Sequence, residues 1–134
     1  MKDSAVLKIL MVDDDKFLLN MYGPKFKKYG HEVYSVTNGS EALDKLREGL
    51  NPDAIILDII MPSPDGLEIL EAIKKEKLAE NSAIIMLTNQ GATKEIERAK
   101  ELGMDGYIVK AALIPSEIAV EVLRITEERK KKNG

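Results

Sequence analysis

The chain has 134 residues, 44% apolar and 32% charged, which suits a soluble globular unit with a proper core. Its net charge of −3 gives no electrostatic reason to expect nucleic acid or an anionic membrane, and the lack of cysteine excludes disulfides and thiolate metal sites. The apolar runs are too short to cross a bilayer and Met1-Lys2-Asp3-Ser4 lacks a signal-peptide core, so the expected location is cytoplasmic, with no membrane partner.

In chain order, Leu7-Lys8-Ile9-Leu10-Met11-Val12 reads as a short strand ending on Asp13-Asp14-Asp15. A helical pattern follows with Phe17, Leu18, Met21 and Phe26 apolar. Pro24 has no N–H for the Asn20 carbonyl, so this helix is expected to kink or restart at Gly23-Pro24. Tyr29-Gly30 closes it, and His31, the single histidine, reads as a solvated loop residue. Glu32 to Val36 alternates as a second strand, and Asn38-Gly39-Ser40 opens a helix with Ala42, Leu43 and Leu46 on one face. Ala54-Ile55-Ile56-Leu57-Asp58 is a continuous apolar run, the pattern of a strand buried on both faces, and Met61-Pro62-Ser63-Pro64-Asp65-Gly66 after it is turn chemistry.

A helix with Leu67, Leu70 and Ile73 inward comes next. The wholly apolar strand Ala83-Ile84-Ile85-Met86-Leu87 ends on Thr88. A polar helix from Thr93 to Leu102, with only Ile96, Ala99 and Leu102 apolar, stops at Gly103. Gly106-Tyr107-Ile108-Val109 is a fifth strand ending on Lys110. Pro115 suits the first position of a last helix with Ile118, Val122 and Ile125 on one face, whose charged end favours the helix dipole. Strict alternation implies an α/β fold: a five-stranded parallel sheet, doubly wound, with helices on both faces.

Four strands thus end on a reactive side chain: Asp13-Asp14, Asp58, Thr88 and Lys110. In a parallel sheet all carboxyl ends lie on one edge, so these groups converge. Clustered carboxylates repel and raise one another's pKa, and Lys110 supplies only one cation. A hard divalent ion such as Mg²⁺ suits a few carboxylates with waters and phosphate oxygens. The competing structural reading is a self-satisfied network, Lys110 paired with Asp58 while Asp14 or Asp15 caps the first helix.

These elements resemble the receiver domain of bacterial response regulators. The similarity runs from about Leu7 to Arg124 and rests on Val12-Asp13-Asp14-Asp15, Asp58-Ile59-Ile60-Met61-Pro62-Ser63-Pro64-Asp65-Gly66, Leu87-Thr88 and Gly106-Tyr107-Ile108-Val109-Lys110. It implies a flavodoxin-like fold and one receiver domain over 1–134, with its core at about 7–126 and a charged tail at 127–134. By this resemblance Asp58 takes a phosphoryl group from a sensor histidine kinase or phosphotransfer protein. Asp13 and Asp14, the second directly, hold Mg²⁺ with Asp58 and the Ile60 backbone carbonyl. Thr88 and Lys110 bind the phosphoryl oxygens, and Tyr107 swings inward when Thr88 moves, reshaping a face that meets a downstream protein. The chain is expected to be a monomer or a phosphorylation-dependent dimer, and stand-alone or excised from a larger regulator.

Three positions depart from the family pattern. Asn89 follows the hydroxyl residue in place of a small side chain. Ala111 stands where proline commonly follows the lysine in a cis bond, so either a costly cis Lys110–Ala111 persists or the loop differs. Ile114 leaves the last helix without a good cap. Ile60 and Gln90 flank the expected approach of hydrolytic water; neither is a general base, so self-dephosphorylation should be slow. Two rivals remain: a haloacid-dehalogenase-like phosphatase using Asp13 and Asp15, which the short chain and the Asp58-to-Gly66 motif oppose, and a degenerate receiver that only binds protein.

Overall fold

Five short runs of β-formers become the strands β1 (Lys8–Val12), β2 (Glu32–Val36), β3 (Ala54–Asp58), β4 (Ala83–Thr88) and β5 (Gly106–Val109). Five helices alternate with them: α1 (Lys16–Lys28), α2 (Gly39–Arg47), α3 (Gly66–Glu76), α4 (Thr93–Leu102) and α5 (Pro115–Asn133). The computed structural model describes residues 6–89 and 91–133. All strands are parallel, in the order β2-β1-β3-β4-β5. The sheet is therefore doubly wound, as its alternation requires.

The apolar runs take the centre. Every residue of β3 and β4 is buried, because helices cover both faces of the sheet. One core joins Ile9, Met11, Ile56, Ile85 and Ile108 to α1 and α5 through Leu19, Phe26, Ile118 and Val122. The other joins Leu10, Val12, Leu57, Ile84 and Met86 to α2, α3 and α4 through Leu43, Leu70, Ile73 and Ala99. Among the described residues no helix is long and apolar enough to cross a membrane.

Several local expectations change. The buried stripe of α1 is Leu19, Tyr22, Gly23 and Phe26, whereas Phe17 is 69% exposed. Pro24 lies on the exposed side and α1 runs unbroken through it, so no restart occurs. His31 is half-buried, and its Nδ1 accepts the Leu7 N–H at 3.1 Å, tying the turn after α1 to the start of β1. Lys110–Ala111 is not cis; Lys110–Ala112 winds a 3₁₀ turn instead, and the cis bond among the described residues is Ser63–Pro64. The Ile114 N–H donates to Glu117 Oε1 at 3.0 Å, so α5 is capped from its third residue although Ile114 itself cannot cap.

The charged segment at 127–133 is helical and continues α5. It is only partly solvated. Arg129 pairs with Asp105 at 3.1 Å and donates to the Glu80 carbonyl at 2.7 Å, and Lys130 pairs with Asp53 at 2.6 Å.

Candidate functional site

Register decides which side chains meet. Val12 lies opposite Leu57, Asp58 opposite Leu87, and Thr88 opposite Val109. Asp13, Asp58, Thr88 and Lys110 are therefore brought to one edge, as the sequence pattern requires. The loop after β3 closes tightly: the Ile59 carbonyl accepts the Gly66 N–H at 3.3 Å, and a Cβ on Gly66 would collide with the Asp58 carbonyl oxygen. Only glycine allows that approach. Asp65 and Glu68 form a reciprocal capping box that starts α3 beside the site.

Carboxylate oxygens of Asp13, Asp14 and Asp58 lie within 4.8 Å of one another. Asp13 and Asp58 are buried, and Asp14 is exposed. Lys110 Nζ sits 3.1 Å from Asp58 Oδ2 and 3.3 Å from Asp13 Oδ2. Asp13 Oδ1 accepts the Asp15 N–H at 2.9 Å, and Asp58 Oδ1 accepts the Ile60 N–H at 3.2 Å. Asp15 accepts from the N–H groups of Phe17 and Leu18, so it caps α1 and is not in the cluster. That removes the second carboxylate of the Asp13–Asp15 pair on which the phosphatase reading rests.

The ion pair and the cap are what the structural reading expected, yet they do not balance the charge. One ammonium pairs with the two buried carboxylates, and a third carboxylate, Asp14, stands exposed beside them. Burial pushes the Asp58 carboxyl up to about 6; the Lys110 charge opposes this and the Asp13 charge adds to it. For Lys110, burial alone would depress the pKa, but the Asp58 and Asp13 carboxylates more than offset it and leave it raised. The ammonium is held charged and the aspartate resists ionising. An added cation would relieve both strains, and three convergent carboxylates, one open to solvent, are the donor set that Mg²⁺ takes. The residues fit that ion.

Thr88 is buried, and its hydroxyl donates to the Asn89 carbonyl at 3.0 Å. Tyr107 is 43% exposed on β5 and lines a groove of about 500 Å³ with Val109, Leu113 and Arg124, so the side chain expected to swing inward points outward here. Ile60 is 59% exposed, and Asn89 is exposed. Gln90 lies outside the described residues. One site neighbour was not singled out from the sequence. Tyr22, buried on α1, lies in the field of Lys110, Asp13, Asp58 and Asp15. Its signal was available, since helical side chains lean toward the helix N-terminus and α1 begins at this edge.

Comparison with known proteins gives the same answer as the geometry. The Vibrio cholerae chemotaxis response regulator CheY4 is 29% identical, with a TM-score of 0.80 over 91% of this chain and 99% of that one. A CheY-like receiver domain protein from Methanospirillum hungatei is 26% identical, with a TM-score of 0.84 over 96% of this chain and 99% of that one. The receiver domain of a Francisella response regulator is 28% identical, with a TM-score of 0.78 over 91% and 98%. A family model described as the response regulator receiver domain matches residues 9–122, a span holding both acidic strand ends, Thr88 and Lys110, and the chain belongs to that family of two-component signalling domains.

Proposed function

We propose that this receiver domain, read as one unit over 1–134, is a working phosphoacceptor in the cytoplasm and that Asp58 is the residue modified. The observation that carries the reading is the buried Asp58 carboxylate among Asp13, Asp14 and Lys110, one cation short of balance. A degenerate, purely binding receiver has no need to keep so costly a cluster.

The donor is a phosphohistidine on a sensor kinase or phosphotransfer protein. The phosphorus–nitrogen bond breaks as Asp58 Oδ attacks in line, giving an acyl phosphate; the electron pair stays on the ring nitrogen, and a proton carried on the other ring nitrogen or taken from solvent lets the imidazole leave neutral. Asp13, Asp14, Asp58 and the Ile60 carbonyl are the residues that would hold Mg²⁺, which when bound supplies positive charge beside the phosphoryl oxygens. Lys110 is already within 3.1 Å of Asp58 and needs only a small shift to meet a phosphoryl oxygen. Thr88 exchanges its bond to the Asn89 carbonyl for one to that oxygen, and the space it leaves lets Tyr107 turn inward. The altered α4–β5–α5 face then meets a downstream protein or a second copy of the chain.

Ile60, exposed at the mouth, offers no side-chain hydrogen bond to an attacking water, and Gln90 is no general base. Self-dephosphorylation is therefore slow. The test is intact mass after incubation with acetyl phosphate and Mg²⁺. A single phosphoryl adduct should appear on the wild type and not on Asp58→Ala; an adduct that survives the substitution refutes the assignment.

A further inference from the structure

The edge of the sheet opposite the site carries a second cluster of charges, built by the end of α5. Asp105, the residue before β5, bonds β4 twice: its N–H donates to the Ile84 carbonyl at 2.8 Å, and its Oδ2 accepts the Ile84 N–H at 2.7 Å. The Arg129 guanidinium lies 3.1 and 3.2 Å from the two Asp105 carboxylate oxygens and donates to the Glu80 carbonyl at 2.7 Å. The two side chains are only 18% and 19% exposed. A planar fork that meets a carboxylate and a carbonyl together is a strong, directional contact, which an uncharged side chain cannot reproduce. One residue on, Lys130 Nζ pairs with Asp53 Oδ1 at 2.6 Å, while Asp53 Oδ2 accepts the Lys8 N–H at 2.8 Å. The end of α5 thus joins the starts of β1, β3, β4 and β5. Apolar packing repeats the attachment one turn earlier: a Cβ on Gly106 would lie 2.8 Å from Ile125 Cδ1, so β5 and α5 touch closely beside the clasp.

The site end of the same β5–α5 unit is built differently. Lys110, bonded to Asp58 and Asp13, opens the connection from β5 to α5, where Ala111, Ala112 and Ile114 are exposed. We propose that the end of α5 is a strap: Arg129 and Lys130 pin it to the edge of the sheet opposite the site, so that α5 moves on phosphorylation at its site end alone, with the clasp as pivot. A shift of Lys110 toward a phosphoryl oxygen acts on the near end of a helix that is held at its far end. The movement rests on the phosphoacceptor reading; the pinning stands in the resting protein as well.

The experiment follows amide hydrogen exchange and thermal melting of the full chain as wild type, Arg129→Met, Asp105→Asn, the double variant and Arg124→Met. Methionine keeps the apolar stem and removes the fork, and asparagine keeps an oxygen for the Ile84 N–H. Arg124, paired with Glu121 and Glu128 on the exposed side of α5, is the control. Without phosphodonor, Arg129→Met should melt about 3–8 °C below wild type, and its amides between Ile125 and Lys131 should exchange at least about 10-fold faster. Asp105→Asn should act alike, the double variant should lose less than the sum, and Arg124→Met should change little. With acetyl phosphate and Mg²⁺, intact mass should show the adduct on wild type and Arg129→Met alike, because the clasp lies on the far edge. Exchange in α5 of the wild type should then change between Ser116 and Arg124 and not beyond, whereas in Arg129→Met the change should run on to Lys131. Unaltered melting and exchange in Arg129→Met overturn the pinning, as do additive losses in the double variant. A phosphorylated wild type whose α5 changes evenly along its length or not at all overturns the pivot, as does an Arg129→Met variant whose change stays confined. No adduct on the wild type overturns the phosphoacceptor reading and the pivot with it, while the unphosphorylated proteins still decide the pinning.

Discussion

Replacing Asp58 with asparagine should stabilise the metal-free protein. Burial lifts the Asp58 carboxyl from its ordinary 3.8 to about 6, so the folded state holds this proton more tightly than the unfolded chain does. Below the lower value both states are protonated and the group costs nothing. As pH rises through this window the unfolded chain ionises first and stability falls; above about pH 6 the whole cost is present. The shift corresponds to about 3 kcal/mol, reduced to about 2 kcal/mol by solvent entering through the mouth of the site. Asparagine keeps the shape, and its Oδ1 still accepts the Ile60 N–H, but it carries no charge. Thermal melts in chelator should therefore place Asp58→Asn above wild type by about 6–10 °C at roughly pH 7.5, with little difference near pH 4. Saturating Mg²⁺ should reverse the order, since at about 100 times its Kd it stabilises the wild type by about 2.7 kcal/mol and the variant lacks a ligand. A variant no more stable than wild type at neutral pH without metal, or equally favoured at pH 4, would show that Asp58 is not strained by its surroundings.

Asp14→Ala should weaken Mg²⁺ binding more than Asp13→Ala, because Asp14 is exposed whereas Asp13 is already engaged by Lys110 and the Asp15 N–H; equal losses on titration would contradict this. Lys110→Ala should bind Mg²⁺ as well or better but respond poorly to phosphorylation, and without metal it should lose about 3–5 kcal/mol on urea unfolding, since buried carboxylates are left unpaired. Ile60→Asn should hasten decay of the Asp58 adduct after donor removal by admitting and orienting water, with Gln90→Glu adding to it; an unchanged or slower decay would sink this account of water access. Gly66→Ala should destabilise the chain by several kcal/mol, because a Cβ there meets the Asp58 carbonyl oxygen and its neighbour Ile59; a melt within about 1 °C of wild type would contradict it.

The sequence by itself determined the strands, their burial and the edge on which the chemistry gathers. Ala54 to Leu57 and Ala83 to Leu87 are apolar without alternation, which only a strand covered on both faces tolerates, and strict alternation then puts Asp13, Asp58, Thr88 and Lys110 at the same ends. The apolar pattern gave the right face on α2, where Ala42, Leu43 and Leu46 are buried, but not on α1, whose apolar residues lie nearly all round the helix. It could not say that Tyr22 and not Phe17 turns inward on α1, because Phe17, Leu18, Leu19, Met21, Tyr22 and Phe26 offer more than one apolar face and only packing against the sheet and α5 chooses between them. Nor could it show that Lys110–Ala111 gives way to a 3₁₀ turn, that His31 accepts from Leu7, or that Arg129 clasps Asp105. The last two contacts join residues 24 positions apart in the chain, and only the packed tertiary structure, with polar groups withdrawn from water and needing partners, decides which of them form.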